Sequence, residues 1–383
     1  MDGIEGFTMK IAIFVGSLSI GGAERQFALL ARGLADRGHD VRVLTMVHSP
    51  PPNFDDLLDG IPIHVLFPRA WVGPLRLVQL LRGWRQLLYH LRQDPVDVVY
   101  SALEWPNYMC IRACRDLPGT AAVVGMRHAA DETMGWKRRL PIRLSAGAGR
   151  PEGLVANSRA GMQEANHKGL IALQEHVIAN GIDTEHFAPT EIGALKFRES
   201  LGIQAETPLI GQVGRVIPLK DHRTLLNAFA LLSTELPHIH LVCCGQGAEV
   251  QFQSLQALAS SLSIADRVHW VKHAKDLPAV YSALDLLMMS SRSEGFPNVV
   301  AEAMACGTQA VVTDVGEAGH IVGDTGAVVS VGDANQMASA ALRLLRQQGH
   351  NNARSRITEL FSVPQLVSST EAVLTSSFKS LRG

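Results

Sequence analysis

Short, continuous apolar runs alternate with longer helical patterns along the whole chain, and few folds satisfy that alternation. In the first half the runs are Lys10–Val15, Val41–Met46, Ile63–Leu66, Val96–Tyr100, Ala121–Met126, Leu154–Ala156 and Val177–Ala179. In the second half they are Leu209–Val213, Ile239–Cys243, Val268–Val271, Leu284–Met289 and Ala310–Thr313. A strand that is apolar on both faces belongs in a parallel sheet covered on both sides by helices. The first run leads through a glycine loop into a helical pattern from about Ala23 to Arg37, which Gly38 stops. The order strand, glycine loop, helix occurs twice, as FVGSLSIGGAE and as GQVGRVIPLKD. Two doubly wound units, each opening with a phosphate-sized loop, follow from that repeat.

Length agrees with two domains, since 383 residues is more than one core usually serves. Turn residues cluster at Asn180-Gly181-Ile182-Asp183, so the domains are expected at 9–183 and 184–363. A last helical pattern, about 364–381, follows the polar stretch GHNNARSR and could pack back on the first domain. The formal net charge of -1 provides no global basic field, which argues against nucleic acid as a partner. Cys110, Cys114, Cys243, Cys244 and Cys306 are few, odd in number and set in apolar runs, so the expected compartment is the reducing cytoplasm. No run of 18 apolar residues offers a membrane span. Residues 1–8 are acidic and unpatterned and read as an extension before Met9.

Three motifs carry chemistry. The first is Gly16-Ser17-Leu18-Ser19-Ile20-Gly21-Gly22-Ala23-Glu24. Its glycines let backbone amides approach an anion at a helix start. No Gly-Lys-Ser/Thr follows, and no acidic residue ends the second strand, so it is neither a Walker loop nor a dinucleotide fingerprint. A tight turn that packs a helix on a strand would read the same. The second pairs Arg215 with Lys220, two cations within one strand-to-helix loop. Together they suit a diphosphate, which arginine can bind in bidentate fashion; solvated surface cations are the plain alternative. The third is Glu294-Gly295-Phe296-Pro297-Asn298-Val299-Val300-Ala301-Glu302, after the strand ending Met289-Ser290-Ser291. Gly295 frees the backbone and Pro297 suits a first helical turn. Glu294 then lies in the loop and Glu302 inside the helix, where carboxylates can accept hydrogen bonds from hydroxyls.

Taken together these segments closely resemble the retaining glycosyltransferases of family 4, which have the GT-B fold. The matched pieces are Gly21-Gly22-Ala23-Glu24, Asn180-Gly181-Ile182-Asp183, Gly214-Arg215 with Lys220, and Glu294 to Glu302 around Gly295-Phe296-Pro297-Asn298. The resemblance implies an α/β chain of two Rossmann-like domains facing each other across a cleft. The first would bind the acceptor and the second the nucleotide sugar. It implies that Arg215 and Lys220 neutralise the donor diphosphate, Glu294 contacts the transferred sugar and Glu302 holds the ribose. Amides around Phe296, Pro297 and Asn298 would line the sugar and phosphate site, and Gly21 and Gly22 would admit the diphosphate or acceptor. The base would lie near Lys272 and His273, where the family often has a glycine. His128, after the strand Ala121–Met126, would polarise the sugar or orient the acceptor, although most histidines are structural.

No Asp-x-Asp pair occurs to hold a metal-bridged diphosphate, so the expected enzyme uses neither metal nor cofactor and relies on Arg215 and Lys220. The expected reaction moves a hexose-type sugar from a UDP- or GDP-sugar to a saccharide or lipid-linked acceptor, as in assembly of cell-surface polysaccharide or glycolipid. Two stretches without acidic residues bear on the acceptor. Arg69, Arg76, Arg82, Arg85 and Arg92 lie with Trp71 and Trp84; Lys137, Arg138, Arg139, Arg143 and Arg150 lie beside Trp136. Such stretches, 69–92 and 137–150, can rest on an anionic inner membrane face or pack as amphipathic helices on the core. A nucleotide-sugar epimerase or hydrolase on the same fold, or a non-catalytic nucleotide-sugar-binding subunit, remains a rival.

Overall fold

A computed structural model describes residues 7–18, 22–47, 54–67, 76–126, 136–347 and 351–382; the side chains of 23, 55, 76 and 136–139 are outside that description. The chain divides into two compact units, residues 1–181 with 363–383, and residues 182–362.

The first unit holds a seven-stranded parallel sheet. Its strands are β1 (Lys10–Val15), β2 (Asp40–Val47), β3 (Ile63–Phe67), β4 (Val98–Ala102), β5 (Ala121–Met126), β6 (Gly153–Ala156) and β7 (Gln174–Val177), in the order β3-β2-β1-β4-β5-β6-β7. The second unit holds a six-stranded parallel sheet. Its strands are β8 (Leu209–Val213), β9 (His240–Cys244), β10 (Val268–Val271), β11 (Leu286–Met289), β12 (Ala310–Thr313) and β13 (Ala327–Val329), in the order β10-β9-β8-β11-β12-β13. Both orders reverse once, between β1 and β4 and between β8 and β11. Loops leaving adjacent strands at such a switch point diverge, and the crevice between them is where open α/β sheets bind ligands.

Most of the apolar runs became strands within two residues of their expected ends, because a run buried on both faces has no other place. One did not. The expected strand Val177–Ala179 lies at Gln174–Val177 instead. This edge strand alternates half-buried and exposed residues, so its sequence carries no apolar run to find. The strand β13 went unread for another reason: Ala327–Val329 is apolar but only three residues long.

The opening helix spans Gly22–Asp36, and Gly38, at φ 89°, turns the chain into β2. The last helix, Val363–Lys379, belongs to the first unit. Its Leu366, Val367, Val373, Leu374 and Phe378 join Phe27, Leu30, Leu34, Ile11 and Ile13 in one buried cluster. Buried Gln26 fastens the exit from this unit: its Nε2 donates to the Gly181 carbonyl at 2.9 Å, and its Oε1 accepts from the Gly181 amide at 2.7 Å.

The basic stretch after β3 folds as two helices, Arg76–Arg82 and Trp84–Gln93. Leu87, Leu88 and Leu91 are buried, whereas Leu77, Val78 and Tyr89 are exposed. Arg112 stacks over the Trp84 ring at 4.4 Å, so this tryptophan is partly occupied within the unit. Among the described residues no helix is long and apolar enough to cross a membrane.

Candidate functional site

The switch point of the second sheet gathers the second and third motifs. Strand β8 is followed by Gly214, which at φ 144° turns the chain so that Arg215 stands exposed beyond the sheet. Among the described residues no carboxylate pairs with it. The chain then makes a single 3-10 turn, Pro218–Lys220, and enters the helix His222–Glu235. Strand β11, directly beside β8, ends in the loop 290–297, which leads into the helix Asn298–Ala305. Pro297 is the N-cap of that helix rather than its first residue, and Glu302 lies within it.

Lys220 and Glu294 meet directly, Nζ against Oε1, and Ser291 Oγ donates to the same carboxylate oxygen at 2.6 Å. Both side chains are mostly buried, at 18% and 13% exposed, where solvent screens the pair weakly. A cation and a carboxylate from two different loops are thus held together at the sheet edge.

The two loops are tied by a buried polar network that the motifs do not announce. Gln212, inside β8, accepts through Oε1 from Ser290 N at 3.1 Å and from Ser290 Oγ at 2.8 Å. Its Nε2 donates to the Lys220 carbonyl at 3.1 Å. Arg292 N donates to the Leu219 carbonyl at 2.8 Å, and Thr313 Oγ1 to the Ser291 carbonyl at 2.6 Å. Asp221 adopts a left-handed backbone, φ 44°, uncommon for a residue with a side chain. Its carboxylate accepts from Thr224 N and Thr224 Oγ1 and pairs with Arg292 Nε at 2.9 Å, which holds that conformation in place. Gln212 was legible in principle, since a polar residue in an otherwise apolar strand must find partners once buried.

His222 completes this network and is pH-sensitive. Burial pushes its imidazole down to about 4, Lys220 adds to the depression and Asp221 opposes it. The unfolded chain therefore binds a proton that the folded one refuses between about pH 6.5 and 4. Stability is complete above the unfolded value and is lost as pH falls through that window, by about 3 kcal/mol from this group alone. His222→Asn is expected to flatten the loss between pH 7 and 4.5 in urea unfolding. Equal losses for both proteins would contradict the assignment.

Glu302 accepts from the Tyr281 hydroxyl at 2.8 Å. Burial, then the Glu302 charge, raise the Tyr281 phenol well above its ordinary value, so it is a permanent donor. Tyr281 carried no signal in the sequence. Lys272 pairs with Glu249 at 2.7 Å, and His273 Nδ1 lies 3.2 Å from Gln246 Nε2; Lys272 and His273 follow β10, Gln246 follows β9, and Glu249 opens the next helix. Gly295 accepts through its carbonyl from Glu317 N at 2.9 Å, and Phe296 is buried with its ring 5.8 Å from Phe361. The second unit therefore brings Lys220 and Glu294 into contact, sets Arg215 on the same loop as Lys220, and leaves Lys272 and His273 on the loop after β10.

In the first unit Gly22 is the exposed first residue of the helix Gly22–Asp36. Gly21 and His128 lie outside the described residues. At this sheet's switch point Leu103, just after β4, adopts φ 70° and ψ 170°, a conformation almost confined to glycine. Asn107 braces that corner, accepting from Ser101 Oγ at 2.9 Å and donating to the Gly125 carbonyl at 2.8 Å.

Comparison with known proteins agrees with this geometry. Residues 194–359 match the family described as Glycosyl transferases group 1, and residues 20–186 match Glycosyltransferase Family 4. The chain is 24% identical over 368 residues to N-acetyl-alpha-D-glucosaminyl L-malate synthase of Bacillus anthracis, covering 93% of this chain and 94% of that one. It is 36% identical over 177 residues to D-inositol 3-phosphate glycosyltransferase of Mycobacterium ulcerans, a match spanning 44% of this chain and 37% of that enzyme. Anabaena HepE in complex with UDP superposes with a TM-score of 0.80 at 21% identity, over 96% of this chain and all of that one. HepE has also been solved with UDP-glucose. That likeness establishes the GT-B fold. Since the two family matches lie one in each half of the chain, this protein belongs to the group 1 glycosyltransferases of family 4.

Proposed function

We propose that the chain is a retaining, metal-independent hexosyltransferase that takes its sugar from a nucleoside-diphosphate donor and passes it to a saccharide or lipid-linked acceptor. The observation that carries this reading is the Lys220–Glu294 pair at the switch point of the second sheet, beside Arg215. In this reading Arg215 and Lys220 receive the diphosphate, and Glu294, released from Lys220, accepts hydrogen bonds from hydroxyls of the transferred sugar. Glu302, steadied by Tyr281, takes the ribose hydroxyls, and the loop carrying Lys272 and His273 meets the base. Amides at the start of the helix Asn298–Ala305, with Gly295 ahead of it, add positive potential toward the phosphates. His128 is assigned to the donor sugar or the acceptor by resemblance, as are Gly21 and Gly22 to the diphosphate or the acceptor.

The acceptor hydroxyl oxygen attacks the anomeric carbon from the face the phosphate leaves, and the departing phosphate oxygen takes the hydroxyl proton. Lys220 and Arg215 stabilise the charge that develops on that oxygen, the term usually largest in such catalysis. The UDP complexes of HepE make uridine the first base to test.

A thermal-shift screen against UDP, GDP and ADP and their hexoses, with and without EDTA, tests the donor half of this reading. A nucleotide at a hundred times its Kd is expected to stabilise the fold by about 2.7 kcal/mol, unchanged by EDTA. No shift with any nucleotide would overturn the donor-site assignment. A shift abolished by EDTA would overturn metal independence.

A further inference from the structure

The second unit contains a cavity of about 530 Å³ that none of Arg215, Lys220, Glu294 or Glu302 lines. It opens between the segment Val216–Leu219 and the helix Glu249–Ser261, with the start of the helix His222–Glu235 between them. Its volume suits a small organic molecule of about ten to twenty non-hydrogen atoms.

Its walls are largely apolar: Ile217, Pro218 and Leu219 on one side, Val250 and Leu255 on the other. Val250 is 70% exposed at this wall. The charge left uncompensated at the cavity is positive. Arg223 and Arg292 both line it, and the one lining carboxylate, Asp221, is buried and already engaged by Thr224 and Arg292. Among the described residues no carboxylate pairs with Arg223. Two lining side chains also hold buried polar atoms without a hydrogen-bond partner, His222 Nδ1 and Gln251 Oε1. The Gln212 amide is oriented by Ser290, so its Nε2 donates and His222 Nε2, 3.3 Å away, accepts. The imidazole is neutral, and its proton therefore sits on Nδ1, where leaving it unpaired carries a penalty. Those two atoms are buried beneath the cavity wall, so its accessible surface is apolar walls with the Arg223 guanidinium, which suits a ligand with an apolar body and an anionic end.

We propose that this cavity is a second ligand site, for a small aromatic or aliphatic carboxylate or phosphate, and that its occupancy is coupled to the donor cations. The coupling follows from chain connectivity: Val216–Leu219, one wall of the cavity, is the segment that joins Arg215 to Lys220. An occupant that shifts this segment changes the spacing of the two cations. The coupling, though not the site, rests on the donor reading given above.

Ligand-observed fluorine NMR on the full chain tests the site, with 4-(trifluoromethyl)phenylacetate as probe and its uncharged amide as control. The acid is expected to bind, the amide at least fivefold more weakly. Ser254→Trp, which fills the mouth from an exposed position, and Arg223→Glu, which reverses its charge, are each expected to weaken the acid at least tenfold. Both substitutions are on the surface, and circular dichroism melting checks that each folds. Binding that survives both variants, or equal binding of acid and amide, would overturn the site; so would no binding at all. Displacement of the probe by UDP in direct competition would place it in the donor site instead and overturn the proposal. For the coupling, saturating probe is expected to change the Kd for UDP at least threefold; an unchanged Kd would overturn it. Loss of UDP binding in Arg215→Ala tests the donor reading separately, because that variant leaves the cavity intact.

Discussion

Lys220→Ala is expected to lower sugar transfer about 10²- to 10³-fold, chiefly in kcat. Lys220 stands in two relations at once. It is the cation nearest Glu294, and its own carbonyl is held by Gln212 and Ser290, so its position is set before any ligand arrives. A preorganised charge aimed at a leaving phosphate matters most when negative charge develops there, in the transition state. Its loss therefore reduces kcat more than it raises KM. Alanine also strands Glu294, whose side chain is 13% exposed, leaving it the Ser291 hydroxyl. Part of the measured loss will reflect that uncompensated carboxylate. Lys220→Arg keeps the charge and should recover some activity, though the planar guanidinium does not fit a site built around one ammonium. Steady-state kinetics with a nucleotide-hexose donor decide the matter. An alanine variant within about threefold of the parent would remove Lys220 from the catalytic assignment.

The second large effect is structural. Gly245→Ala is expected to destabilise the second unit by about 3 kcal/mol or more, and the thermal midpoint should fall by about 6 to 12 °C. Gly245 follows β9 at φ 151°, and a Cβ there would overlap the Gly214 carbonyl. The close approach is needed because the loops after β8 and β9 continue pairing beyond the sheet: Gly214 N donates to the Cys244 carbonyl at 2.8 Å and Val216 N to the Gln246 carbonyl at 2.7 Å. A methyl group must either break those bonds or displace the loop that carries Arg215. The strain is with backbone, which cannot rotate away as a side chain would. Calorimetry settles it, and a variant melting with the parent would show that the loops part easily. UDP titration of the same variant then reports whether Arg215 has moved.

Much of this was legible without coordinates, and the reasons are particular. The runs Leu209–Val213 and Ala310–Thr313 are strands to the residue because buried parallel strands are mostly apolar, Gln212 excepted, and these end at Gly214 and Asp314. Edge strand β7 escaped because its exposed face interrupts the apolar run, and β13 because it is three residues long. At the site, Arg215, Lys220, Glu294 and Glu302 stood out through glycine, proline and strand context. Tyr281 and Gln212 act through partners 21 and 78 residues away, and sequence proximity shows neither link.

By itself, then, the order of residues determined the two parallel sheets, the loops that carry charge, and the family to which those loops belong. These are local matters: periodicity, turn residues and spacing within a dozen positions express them. Tertiary structure decided which loops meet. The reversal of strand order sets β8 beside β11, so Lys220 faces Glu294 although 73 residues separate them in the chain. It also decided that Gln212 serves the site rather than the core alone, that Asp221 is held left-handed by Arg292, and that the segment between the two cations forms a cavity wall. Such outcomes depend on hydrogen bonds and packing between distant segments, whose partners are chosen only when the chain closes on itself.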